Sequence, residues 1–155
     1  MANSVILTVG NSLMGDDAAG PMLAAMLMEH PAQGWEVIDG GSAPENEVQR
    51  VRALQPDLVL VVDAAEMGLA PGDIRLVDES IIASQYLMTT HSLPLTFLIE
   101  ALHNFVADVR LLAIQPSLVA FGYPVSAEVR AAVALIQQRL TACATLGAYE
   151  RLDPA

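Results

Sequence analysis

Residues 58–62 read Leu-Val-Leu-Val-Val, with an apolar side chain at every position and no polar alternation. A strand of that kind has both faces buried, which a sheet achieves when helices cover each side of it. Further runs of strand length occur at Val5 to Val9, Trp35 to Ile38, Ile74 to Val77 and Val109 to Ile114. Between them lie segments of helical period. Asp17 to about His30 stacks Met22 on Met26 and Leu23 on Leu27, four residues apart. Glu45 to Leu54, Leu93 to His103 and Val125 to about Leu146 follow, the last with apolar spacing at Val129, Val133 and Ile136. Repeated β–α–β units predict an α/β fold, a three-layer α/β/α sandwich about a mainly parallel sheet. The polar-flanked run at 74–77 is expected at a sheet edge. A length of 155 residues suits one domain, 1–155. In such folds ligands bind beyond the carboxyl ends of the strands, so chemistry is sought there.

Composition narrows the classes of partner. Acidic residues number 18 against 7 basic ones, a net charge of −11, so there is no basic stripe for a nucleic-acid backbone. All the basic residues are arginine, at 50, 52, 75, 110, 130, 139 and 151. With no lysine, a P-loop lysine, a Schiff base and a lysine general base are all excluded. Although 54% of residues are apolar, no run approaches the ~18–20 uninterrupted residues of a membrane span. The first basic residue is Arg50, so a basic signal-peptide region is absent, and a soluble cytoplasmic protein is expected. The one cysteine, Cys143, excludes an internal disulfide and a cysteine zinc site. It is expected as a buried or half-buried bystander on the last helix.

Four elements stand at the predicted strand ends. The loop Gly10-Asn11-Ser12-Leu13-Met14-Gly15-Asp16-Asp17 matches neither G-x-G-x-x-G nor a Walker motif. Two acids before a helix satisfy its free N–H groups and its dipole, which explains one of them; the second is a candidate for chemistry. In Asp39-Gly40-Gly41-Ser42-Ala43-Pro44-Glu45, Ser42 and Glu45 have the spacing of a capping box. Asp39 and the pair Gly40-Gly41 are left over, and a glycine pair presents backbone N–H groups suited to an extended peptide. Asp63 ends the most apolar strand, where a carboxylate is costly unless it is paired, hydrogen-bonded or metal-bound. His91 sits in Met88-Thr89-Thr90-His91-Ser92, ahead of the third helix, whereas His30 and His103 are expected at helix ends or the surface. Asp17, Asp63 and His91 together offer one nitrogen and two carboxylates. That set suits a borderline divalent ion such as Zn, Ni, Mn or Fe, with positions open for substrate.

At these residues the chain resembles the endopeptidases that mature nickel–iron hydrogenase large subunits. That family carries G-N-x-x-x-x-D-[DE] after strand one, D-G-G-[ST] after strand two, a strand ending in D-A, and a His before helix three. The matching stretches here are Gly10-Asn11 to Asp16-Asp17, Asp39-Gly40-Gly41-Ser42, Val62-Asp63-Ala64 and Thr90-His91. Gly40 to Asn46, Met67-Gly68-Leu69 with Pro71-Gly72, and Met88 to His91 are similar to the subgroup that processes the hydrogenase of formate hydrogenlyase. The similarity is colinear from about Val5 to Leu140. It implies a five-stranded twisted sheet with helices on both faces, and Asp17, Asp63 and His91 as metal contacts and catalytic residues. The family often has Glu where Asp17 stands, one methylene longer but still a carboxylate. The resemblance also implies the activity, removal of a C-terminal extension from a nickel-loaded precursor, with the nickel brought by that precursor as the recognition handle. Two other readings are weighed beside it. A phospho-receiver-like signalling module needs a lysine near strand five, and a nucleotide-binding module needs the missing glycine pattern.

Overall fold

The computed structural model describes residues 3–78 and 95–152. Among these, five strands form one sheet: β1 (Ser4–Thr8), β2 (Trp35–Asp39), β3 (Leu58–Ala64), β4 (Ile74–Val77) and β5 (Asp108–Ile114). Their order is β2-β1-β3-β5-β4, with four strands parallel and β4 antiparallel to β5. Four α-helices accompany them: α1 (Ala19–Glu29), α2 (Val48–Leu54), α3 (Leu95–His103) and α4 (Ala127–Thr141).

The apolar strand runs divide by parity between two cores. Val59 and Val61 of β3, with Val5, Leu7 and Leu111, pack against Val51 of α2 and Leu98, Ile99 and Leu102 of α3. Leu60 and Val62, with Ile6, Leu112 and Ile114, pack against Leu23 and Leu27 of α1 and Val129, Val133 and Ile136 of α4. The three-layer sandwich is therefore as expected, with α1 and α4 on one face and α2 and α3 on the other. The chain passes from β1 by α1 to β2 and then by α2 back past β1 to β3. From β1 the chain goes to β2 on one side and from β3 it goes past β5 to β4 on the other, so it leaves their carboxyl ends in diverging directions and opens a crevice there.

The edge position of Ile74–Val77 is as the polar flanks predict, but its outer side is not bare. Leu76 N–H donates to Glu150 O at 2.7 Å, and Leu152 N–H donates to Leu76 O at 3.1 Å. A short C-terminal strap thus occupies the free edge.

Helix boundaries depart from the periodicity in three places. The first helix does not begin at Asp17: a 3-10 turn, Gly15–Ala18, precedes α1, and neither Asp16 nor Asp17 makes a side-chain cap. Ser42 and Glu45 form no capping box, because the helical turn starts at Pro44 and the cap position falls to Ala43, one residue late for Ser42. The last helix ends at Thr141 rather than near Leu146. There Cys143 turns left-handed at φ +60, Cys143 N–H donates to Leu140 O, and Ala144 N–H reaches back to Arg139 O. Cys143 is exposed, not buried or half-buried, because it lies past the helix end. A Cβ in left-handed backbone costs about 1 kcal/mol, and glycine is the residue that fits there. Cys143→Gly is expected to stabilise the fold by roughly 0.5–1 kcal/mol, raising the calorimetric midpoint by about 1–4 °C. A lower midpoint would contradict this account of the helix end.

Candidate active site

The loop after β1 is fixed first by its glycine. Gly10 has φ +147, and a Cβ there would lie 2.0 Å from the Asp17 carbonyl oxygen. The chain therefore folds back on itself between Val9 and Asp17 in a way only glycine permits. Asn11 follows, its Oδ1 accepting from Leu13 N–H at 2.9 Å and its own N–H donating to Asp17 Oδ2 at 2.8 Å.

The paired acids then divide their work. Asp16 is fully buried and reaches across the fold to the loop between β5 and α4. Its carboxylate accepts from Ser126 N–H at 2.6 Å, Ser117 N–H at 2.7 Å, Leu118 N–H at 3.2 Å and Ser126 Oγ at 2.9 Å. Burial pushes the Asp16 carboxyl up, but these donors together outweigh it and hold it below the usual aspartate range. Ser126 in turn caps α4 through Val129 N–H, so one carboxylate orients both a loop and a helix start.

Asp17, the next residue, is 1% exposed, and its Oδ1 is buried with no hydrogen-bond partner. Its 3-10 turn packs against β3, whose penultimate residue is Asp63, fully buried. Two of the expected donors therefore arrive at one strand edge from separate elements. The third, His91, lies outside the described residues, and among the described residues no three His, Cys, Asp or Glu side chains gather as a metal site.

Asp39 ends β2 beside this edge. Its Oδ1 accepts from Gly41 N–H at 3.0 Å and from Thr8 Oγ1 at 3.4 Å. Gly40 N–H donates to Thr8 O at 2.7 Å, and Gly10 N–H donates to Gly41 O at 2.9 Å. A Cβ at Gly40 would lie 2.8 Å from Thr8 O, so the pair serves close packing of β2 on β1. Presentation of the Gly40 and Gly41 N–H groups to a peptide does not hold, because both are used internally. What the turn offers outward is the exposed Asp39 carboxylate and the open space over Gly41.

Gln115 is a residue the sequence reading passed over. It is 3% exposed and follows the apolar end of β5, the same signal that singled out Asp63. Its Oε1 accepts from Met67 N–H at 2.7 Å and Leu69 N–H at 3.2 Å, and its amide donates to Glu66 Oε2. That hydrogen bond comes first among the contacts that hold the Glu66 carboxyl below its usual range. Gln115 thereby pins the segment that leaves β3 just after Asp63.

A family model for hydrogenase maturation proteases, HycI, matches residues 22–142. The chain belongs to this family. It is 47% identical over 148 residues to the hydrogenase 3 maturation protease of Escherichia coli K12, covering 96% of this chain and 95% of that one. It is similar in structure to the endopeptidase HycI from Escherichia coli, with a TM-score of 0.90, 46% identity and 97% of each chain covered. The nickel–iron hydrogenase maturation protease HycI from Thermococcus kodakarensis superposes with a TM-score of 0.82 at 25% identity, over 91% of each chain. For a hydrogenase maturation protease the signalling and nucleotide-binding readings have no support. Among the described residues no helix is long and apolar enough to cross a membrane.

The two acids predict opposite responses to substitution. Asp16→Ala removes the acceptor shared by the Ser117, Leu118 and Ser126 N–H groups and the Ser126 hydroxyl and is expected to cost about 3 kcal/mol, lowering the thermal midpoint by roughly 6–12 °C. Asp17→Asn keeps an acceptor for Asn11 N–H and removes a buried charge, so the midpoint should hold or rise. Because the Asp16 carboxyl is held low, its stabilisation is full above the ordinary aspartate value of about 3.9 and is lost as pH falls through the lower folded value. Acid unfolding of wild type and Asp16→Asn, followed by circular dichroism, checks the sign. Their stability difference should shrink only in that acid range.

Proposed function

We propose that this chain, as one cytoplasmic domain, removes the C-terminal extension of a nickel-loaded hydrogenase large-subunit precursor. The observation that carries this reading is the pair of buried carboxylates, Asp17 and Asp63, at the carboxyl edge between β1 and β3. Keeping Asp17 Oδ1 buried and unpartnered costs free energy that an incoming cation would recover. In this reading Asp17, Asp63 and His91 complete the shell of nickel that the precursor's own ligands already hold. Three such donors, none a thiolate, hold a free divalent ion only weakly, so the purified protein is expected to be largely metal-free. The Asp39-Gly40-Gly41 turn supports the arriving chain through the Asp39 carboxylate.

The chemistry is hydrolysis at an aspartate. The substrate's nickel supplies Lewis-acid polarisation of the scissile carbonyl. A carboxylate, Asp17 or Asp63, takes a proton from water as the water oxygen bonds to the carbonyl carbon. The C–N bond then breaks, and the carboxyl returns its proton to the departing amine. Water is the only co-reactant consumed.

Two measurements test the reading. One precursor, folded with and without nickel, is incubated with the protein, and loss of its tail is followed on a gel. Trimming of the nickel-loaded form alone is expected; equal trimming of both would remove nickel as the handle. Asp63→Asn keeps the shape but not the charge and is expected to fold while losing at least about 100-fold in cleavage rate, in the usual range for a general base. Wild-type cleavage by a folded Asp63→Asn protein would make Asp63 a structural residue.

A further inference from the structure

Beside the buried carboxylates lies an apolar surface that none of the chemistry above uses. Leu13 (60% exposed), Leu118 (47%), Phe121 (74%) and Tyr123 (58%) stand on two loops bonded to each other. Gly122 N–H donates to Leu13 O at 2.9 Å and Asp16 N–H donates to Leu118 O at 2.9 Å, so the four residues share one rim. Next to it Met22, Met26, Pro21 and Val125 line a groove of about 460 Å³ that begins at Ser12 and ends at Glu29. Exposed aromatic side chains beside the half-buried Met22 and Met26 mark a docking surface, because an isolated chain gains nothing by keeping such apolar area wet.

Charge indicates what docks there. Residues 1–49 and 111–129, which supply the whole rim and groove, contain no lysine or arginine. The charged groups at the groove are Glu29 at one end and Arg130, whose guanidinium donates to Val125 O at 2.9 Å, at the other. A second copy of this chain, at net −11, would bring like charge to this face. We infer that the Leu13–Leu118–Phe121–Tyr123 rim and the Met22–Met26 groove seat an apolar segment of the precursor polypeptide with a cationic flank at the Glu29 end. This rests on the function proposed above and adds where the substrate protein is held while its tail is cut.

The test uses Phe121→Ser/Tyr123→Ser, since both side chains are exposed and their truncation should leave the thermal midpoint unchanged. With nickel-loaded precursor the variant is expected to raise KM by about tenfold or more while kcat stays within about twofold. Precursor binding, measured without turnover, should weaken by the same factor. An unchanged KM, or a fall in kcat at unchanged KM, would overturn the docking surface. So would sedimentation showing a wild-type dimer that the variant disperses with KM intact. If wild type binds precursor through this rim but does not trim it, the docking stands and the proposed cleavage falls.

Discussion

The carboxylate of Asp16 joins parts of the chain that are distant in sequence, and the position of the candidate site follows from it. Its four donors come from Ser117, Leu118 and Ser126, so the loop after β1 is held against the loop after β5 and the start of α4. Desolvation opposes this arrangement, and the donors overcome it because each bond is charge-assisted and ends on a fully buried carboxylate. Successive side chains on a 3-10 turn point about 120° apart. Once Asp16 is fixed toward residues 117–126, Asp17 faces Asn11 instead, with one carboxylate oxygen left over.

The sheet order supplies the other half of the site. Because β1 leads to β2 on one side of the sheet and β3 leads past β5 to β4 on the other, the chain leaves β1 and β3 in diverging directions, and both acids stand at that divergence. Gln115 then limits how far the segment after β3 can move, holding Met67 and Leu69 from the end of the next strand. The buried acids thus rest on strand ends and a tight turn rather than on a free loop, which keeps their separation set by the core.

Much of this was legible in the chain. Apolar runs without alternation required helices on both sheet faces, and in the structure Val59 and Leu60 do lie in separate cores. Asp63 was legible as a carboxylate where an apolar strand stops. The role of Asp16 was not, since its partners lie about a hundred residues away and nothing local distinguishes it from Asp17. Strand pairing was also hidden: periodicity gives a strand's faces but not its neighbours, so the polar flanks of β4 told its edge position but not its antiparallel pairing with β5. Helix ends misled for a different reason. Apolar spacing continues past Thr141, and only the backbone angle of Cys143 stops the helix, while Ser42 has the right chemistry one residue too early. Gln115 carried the same signal as Asp63 and was missed because an amide is a less conspicuous buried group than a charge.

The strap over β4 has a kinetic side. Leu76 meets residues 150–152 only after a loop of roughly 70 residues has closed, a contact of high sequence separation and therefore one of slow formation. Until it forms, the N–H and C=O of Leu76 face outward on a strand whose neighbours are apolar. At high expression, that open edge is where two nascent molecules would pair with each other instead of with their own C-terminal segments, so yield depends on dilution and time as well as on final stability.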